Sequence, residues 1–264
     1  MRRVVAALFV AVLCSACTTI QIPLPGASIM RPRAGLGKVG ARVTAGAVVA
    51  PTVEGAITEV KDPNGVVINP IPGKVGANDD KAAATSPLPL VELAVDWSNR
   101  YEVGLSTTRG AFFMWDYAVW PNAALTLTPS YNTLSEEGGD PKIKETVDEN
   151  GQAVANLEYG YKGKATNFNV TQLASTWVGN LEWAALYVYG GVGVNVFNAS
   201  ITQKESGATD RVSQVAPSML AGLQVRLLVF ELTAESGGVV VKYRDGTRKT
   251  VPTGGVTMAL HIAL

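Results

Sequence analysis

Residues 38–49, KVGARVTAGAVV, alternate without a break. Val39, Ala41, Val43, Ala45, Ala47 and Val49 fall on one side, and Lys38, Gly40, Arg42, Thr44 and Gly46 on the other. A period of two is the signature of a β-strand with one apolar face, because successive side chains leave the backbone on opposite sides. The same signature returns in LVELAVDW (90–97), where Val91, Leu93, Val95 and Trp97 oppose Glu92, Ala94 and Asp96. In YEVGLSTTR (101–109), Tyr101, Val103 and Leu105 oppose Glu102, Gly104 and Ser106. It continues through 111–120, 123–132, 168–177, 182–197, 216–228, 230–235 and 254–264, which makes ten strands in all. Their connections alternate. Those near 98–100, 121–122, 179–181 and 228–229 are short, those at 51–87, 135–164, 199–213 and 237–254 are long, and one tight turn stands near Arg109-Gly110. Strands joined in this way form an antiparallel up-and-down meander, with short turns at one end and longer loops at the other.

Composition narrows the class further. Lys plus Arg and Asp plus Glu number 22 each, so the formal net charge is zero, and no basic run offers a nucleic-acid footprint. Charged residues make up 17% of the chain, below the roughly 25% usual for a soluble domain, so part of the surface is expected to meet something other than water. The longest purely apolar run, Val4–Leu13, is too short to span a bilayer as a helix, for which about 20 residues are needed.

The aromatic residues sit at particular places in the meander. Trp97, Trp120, Trp177 and Trp183 lie within three residues of a short turn, and Tyr101 and Phe230 flank turns as well. Trp and Tyr gather at membrane–water interfaces because one ring edge is polar and the body apolar, so these six are expected to form a girdle. The final strand, TMALHIAL, carries Thr257, Ala259, Ile262 and Leu264 at the spacing of a terminal outer-membrane strand, although Leu264 stands where an aromatic is usual. Taken together, the alternation, the turn lengths and this last strand resemble bacterial outer-membrane β-barrel proteins. The resemblance covers nearly the whole chain as pattern and specifies no subfamily. It implies an all-β, antiparallel up-and-down transmembrane β-barrel of about ten strands, with eight or twelve as alternatives. It also implies short turns and both termini on the periplasmic side, outer-membrane lipid around the barrel, and recognition by the outer-membrane assembly machinery.

The first residues, MRRVVAALFVAVLCSACTT, have the build of a secretory signal peptide: basic Arg2 and Arg3, an apolar core, then small Ser15 and Ala16. The ending CSAC is similar to a bacterial lipoprotein signal, which implies an acylated Cys17 as the mature N-terminus. Cys14 departs from the usual Leu, and the competing reading is ordinary cleavage with Cys17 left as a thiol. The expected organisation is a signal peptide at 1–16, an acylated N-terminus and periplasmic tether rich in Pro and Gly at 17–35, and the barrel domain at 36–264. With Cys14 removed and Cys17 acylated, no cysteine remains for a disulfide or a thiolate metal site.

If Val, Leu and Trp face outward, the opposite faces fill the lumen. They carry Lys38, Arg42, Glu92, Asp96, Glu102, Gln224, Arg226, Glu231 and Glu235. Buried charges persist when paired, so the expected arrangement is an ion-pair network that plugs the interior; the functional alternative is a narrow polar pathway for a small solute or ion. An enzyme finds little support. The one histidine, His261, is expected to be a hydrogen-bonded structural residue, no G-x-S-x-G or metal-spaced cluster occurs, and no cofactor or metal is expected. DPNG (62–65), DENG (148–151) and RDGT (244–247) read as hairpin tips. Gly191 and Gly193 within YGGVGVNVF (189–197) lack the third glycine of a dinucleotide fingerprint, since Val196 occupies it, and read as the lumenal face of a strand. The segments 51–87 and 135–164 contain hairpin patterns and are where a surface partner would bind. A lipid-anchored soluble β-barrel or sandwich, with apolar residues inward and charges outward to bind an apolar ligand, uses the same alternation and stands as the rival.

Overall fold

A computed structural model describes residues 20–23, 39–55, 60–61, 67–68, 85–98, 100–138, 142–147, 153–158, 161–181, 183–204, 209–242 and 247–263. Cys14, Cys17, Lys38, Leu264, and the DPNG and DENG tips lie outside these. Among the described residues there are fifteen strands: β1 (Ile20–Pro23), β2 (Gly40–Gly55), β3 (Val60–Lys61), β4 (Val67–Ile68), β5 (Thr85–Ser98), β6 (Tyr101–Ser106), β7 (Gly110–Trp120), β8 (Ala123–Gly138), β9 (Lys142–Val147), β10 (Ala153–Glu158), β11 (Tyr161–Asn180), β12 (Ala184–Gln203), β13 (Thr209–Leu227), β14 (Phe230–Lys242) and β15 (Arg248–Ala263).

Ten of them close a single antiparallel barrel. The order runs β2-β15-β14-β13-β12-β11-β8-β7-β6-β5, and β5 pairs back with β2. The ten-strand expectation holds because the two hairpin patterns in the long loops do not enter the wall: β3 pairs with β4 and β9 with β10, each as a separate two-stranded sheet.

The register fixes the barrel's shape. From Leu227, successive partners are Phe230, Leu260, Val43, Leu93, Leu105, Ala111, Tyr131, Phe168, Val196 and finally Val215. The circuit returns to β13 displaced from residue 227 to residue 215, a stagger of 12 residues. Ten strands with that stagger tilt by roughly 40°, so each residue rises about 2.5 Å along the barrel axis.

Alternation then decides what each face meets. Val43, Leu93, Leu105, Val188, Val192, Leu223, Leu232 and Met258 are exposed outward, while Arg42, Glu92, Glu102, Asn195, Gln224, Glu231 and Thr257 are buried inside. This is the reverse of the soluble-barrel rival, which required charges outside. On β11 the exposed apolar band runs from Val178 to Phe168, about 25 Å of axial height, and gives way above to exposed Lys164 and Lys162. Because β11 and β12 are 20 residues each, the wall continues well past the band on the long-loop side.

Two features of the ends differ from expectation. β1 pairs Ile20–Pro23 with Gly55–Thr52, the end of β2 that leads into a long loop. The four described residues of the expected periplasmic tether are therefore at the long-loop end, opposite Ala263. β2 outruns β5 beyond Pro51, and β1 satisfies the backbone edge left open there.

The second feature is the height of the β6–β7 hairpin. β6 has six residues and β7 eleven, between β5 of 14 and β8 of 16, and the turn at 107–109 that joins them falls level with Tyr131. Gly110 makes that turn with φ +67; a Cβ there would run into the Tyr131 carbonyl, so the position accepts little besides glycine.

Candidate functional site: a lumen in two tiers

The short-turn half of the lumen is charged. Arg42 on β2 donates from Nη2 to Glu92 Oε1 of β5 at 2.8 Å and to Glu102 Oε1 of β6 at 2.6 Å, and its Nη1 lies 3.9 Å from Glu231 Oε2 of β14. One guanidinium thus ties β2 to three other strands, β5, β6 and β14. Arg109 comes down from the β6–β7 turn, donates Nε and Nη2 to Glu92 Oε2 at 3.1 and 2.8 Å, and stacks over Phe112 with 3.5 Å to the ring centroid. Gln224 donates to Glu231 Oε2 at 3.2 Å, and Thr126 donates to Asp116 Oδ1 at 2.6 Å.

His261 completes this tier. Its Nδ1 lies 3.3 Å from Arg226 Nη2, and its Nε2 lies 2.9 Å from Asp96 Oδ2. Arginine only donates, so Nδ1 accepts and the ring proton belongs on Nε2, where it is given to Asp96. Both ring nitrogens are occupied by hydrogen bonds, which is the structural arrangement expected of a lone lumenal histidine.

Above this the lumen carries no charged side chain among the described inward residues of β11, β12 and β13. On one wall an amide and hydroxyl ladder runs along β11 and β12. Asn167 and Asn169 both donate to Asn195 Oδ1, at 3.2 and 2.9 Å, and Thr171 donates to Asn169 Oδ1 at 2.8 Å. Asn195 then donates to Ala216 O and Ser218 Oγ of β13. Gly191 and Gly193 do face the lumen here. A Cβ on Gly193 would fall 2.6 Å from Thr171 Oγ1 and 2.9 Å from Ser218 Oγ, so Gly193 makes room for the ladder, while Gly191 makes room for Leu173 below it. Beside the ladder the wall turns apolar, with Phe197, Ala216, Val239, Val241 and Val251 of β12 to β15 packed together, and on the opposite wall Val48 packs with Leu88 and Leu90.

The sequence-derived residues divide clearly. Arg42, Glu92, Asp96, Glu102, Arg226 and Glu231 meet in the charged tier. Glu235 sits higher and half-buried, accepting from the Tyr189 hydroxyl at 3.1 Å. Arg109, Asp116, Thr126 and His261 belong to the tier but were absent from the expected network. Asp116 shares its inward face with Phe112 and Met114, so alternation held its signal; Arg109 lies in a turn, where alternation has no phase.

Of the expected girdle, Trp97, Trp120, Trp183 and Phe230 are exposed on the outer face, and Tyr101 stacks on Trp97 with centroids 6.0 Å apart. Trp177 is a correction. It is 4% exposed and lies inside, against Tyr187, Ala124 and Ala185. Proximity to a turn does not determine the side of the wall; parity does, and Trp177 shares parity with Leu173 and Ser175. Trp115 and Tyr117 extend the outer aromatic group instead.

An apolar exterior band edged by aromatic residues, around a polar interior closed by antiparallel strands, is the build of an outer-membrane β-barrel. Among solved structures, the chain is similar to Ail, the attachment invasion locus protein of Yersinia pestis, with 13% identity, 86% of this chain and 99% of that chain covered, and a TM-score of 0.37. It is also similar to Neisserial surface protein A, with 8% identity, 87% and 98% covered, and a TM-score of 0.34. No protein-family model and no curated protein matches it.

Proposed function

We propose that this protein is an outer-membrane β-barrel whose lumen is sealed, and that it serves as a membrane-held scaffold presenting its long-loop end rather than as an open channel. The observation that carries this reading is the burial of the charged tier: Arg42, Glu92, Glu102, Arg109 and Glu231 are each 3% exposed or less while bridging β2, β5, β6 and β14. A water-filled pore leaves such groups wet; here they pair with one another across the lumen. Short turns in such barrels face the periplasm, which puts the β3–β4 and β9–β10 hairpins on the outside, where a partner would dock. Acylation at Cys17 is part of the same proposal, and no reaction is assigned to the barrel.

Reconstitution in planar bilayers tests the seal. The unmodified protein is expected to show no stable conductance. Arg42→Ala, which removes the cross-lumen tie, is expected to open small steps, and Arg226→Ala fewer. Steady conductance from the unmodified protein, or none from either variant, would defeat the plug. Solubility tests the membrane assignment: a Cys17→Ala protein should still require detergent and should shift gel mobility on heating. A monomeric, detergent-free preparation would return the rival soluble barrel.

A further inference from the structure

β1 fixes where the chain stands before it enters the wall. Ile20–Pro23 pairs with Gly55–Thr52 at the long-loop end of β2, and β1 also comes within 8 Å of β11, Cα to Cα. β2 and β11 are five places apart whichever way round the barrel order is followed, so they are opposite walls. A strand beside both lies over the mouth. At the other end of the barrel, Gly40 opens β2 paired with Asp96 and Ala263, on the short-turn side.

Residues 24–38 therefore join the two ends of the barrel. From Gly40 to Thr52, the partner of Pro23, is 12 residues of β2, an axial distance of about 30 Å. A segment of 15 residues reaches about 50 Å when extended, so this one can make the crossing directly. Two routes exist. Outside the wall, the backbone would cross hydrocarbon with its N–H and C=O groups unpaired, and Arg31 and Arg33 would be carried with it. Inside, polar and charged partners line the way.

Charge, order and burial all match the inner route. Among the described residues the lumen carries Glu92, Asp96, Glu102, Asp116, Glu231 and Glu235 against Arg42, Arg109 and Arg226, a surplus of three negative charges with His261 neutral. Residues 24–38, LPGASIMRPRAGLGK, carry Arg31, Arg33 and Lys38 and no acid. Their order agrees with the tiers: the uncharged LPGASIM comes first, at the neutral end, and the three cations follow toward the carboxylates. The lining is also covered. Halfway up, Gly46 of β2 stands across from Thr171 of β11, and Gly255 of β15 across from Ser130 of β8. Ten strands at this tilt hold opposite walls roughly 19 Å apart, a distance such small residues do not bridge. Thr171 is nonetheless 1% exposed and Ser130 5%.

We infer that the inner wall of the barrel is the docking surface for residues 24–38 of its own chain, which run through the lumen, and that the chain ahead of β1 is consequently displayed on the cell surface at the long-loop end. The inference rests on the membrane assignment proposed above and goes beyond the ion-pair seal. Arg31, Arg33 and Lys38 supply the cations that balance the lumenal carboxylates. No proton or covalent step is involved.

Introduced cysteines test both halves in cells making the full chain with Cys17→Ala. Thr19→Cys is expected to react with a membrane-impermeant maleimide on intact cells, whereas Asn122→Cys, exposed in a short turn, should react only after the outer membrane is permeabilised. Paired cysteines read the route. Ser28→Cys, five residues past Pro23, is expected to cross-link through a short bismaleimide to inward Ser130→Cys and not to its outward neighbour Tyr131→Cys. Ser218→Cys, on another strand of the lumen, replaces Ser130→Cys if that pair does not fold, and heat-shifted gel mobility certifies folding of each. Thr19→Cys reacting only after permeabilisation, a cross-link to Tyr131→Cys instead, or none to an inward partner in a folded barrel would overturn the inference while leaving the membrane barrel intact. Release of the protein without detergent would instead sink the membrane assignment on which it stands.

Discussion

The two halves of the lumen belong to one barrel, all ten strands lining the lower half and all but β6 and β7 continuing through the upper, yet they are held together by different physics. The short-turn half rests on a few long-range charge contacts: Arg42 reaches residues 50 and 60 positions away in sequence, and His261 reaches Asp96 across 165. The long-loop half rests on a ladder of neutral amides along two adjacent strands and on small apolar packing. The difference teaches where each kind of damage should appear. A charge removed from the lower half strands its partners in a place without water, whereas a truncation in the upper half leaves a smaller, neutral deficit.

The sharpest way to break the comparison is Arg42→Met. It leaves Glu92 and Glu102 without their shared cation and is expected to cost ~3–5 kcal/mol, read as a lower temperature for the gel-mobility shift. If the loss were no larger than for an upper-tier change, the division would fail. Asn195→Ala comes next. It removes the acceptor shared by Asn167 and Asn169 and is expected to cost ~1–3 kcal/mol in the same measurement, with the bilayer remaining non-conducting because the floor is untouched.

The smallest effect belongs to the rim above both tiers. The Lys204 ammonium, 2.9 Å from Glu137 Oε1 and hydrogen-bonded to it, together with Lys162, holds the Glu137 carboxyl below the usual carboxylate range. A depressed carboxyl contributes its stability above the unfolded value and loses it as pH falls through the folded one. The pair should therefore help order the β8 and β11 extensions at neutral pH and cease to do so in acid. Glu137→Gln should remove that acid sensitivity from hydrogen exchange in 133–138, with almost no change in overall stability because the group is fully exposed. An acid response that survives the substitution would assign it to another group.

How much of this was legible beforehand depends on range. Strand phase is local, and it correctly put Val43, Leu93, Val192 and Val194 outside and Arg42, Glu92, Glu102 and Gly193 inside. Trp177 was misplaced because nearness to a turn was weighed above its parity, although the parity was there to read. The membership of Arg109 was not legible. It lies in the turn between β6 and β7, and only the height of that turn aims its guanidinium at Glu92. The placement of Ile20–Pro23 was equally hidden, because it depends on how far β2 outruns β5.

By itself, then, the sequence determined the antiparallel order and which side chains face each way, since both follow from a period of two interrupted by turns; it put the strand count at about ten, and the structure decided against twelve by leaving the β3–β4 and β9–β10 hairpins out of the wall. Tertiary structure alone decided the stagger of 12 residues, and with it which charges share a level, where the lumen changes from charged to neutral, and that the wall stops short between β5 and β8. The physical reason is closure. A strand's pattern records which face is apolar, but its axial height is set by the accumulated register of all ten strands, and no single segment carries that sum.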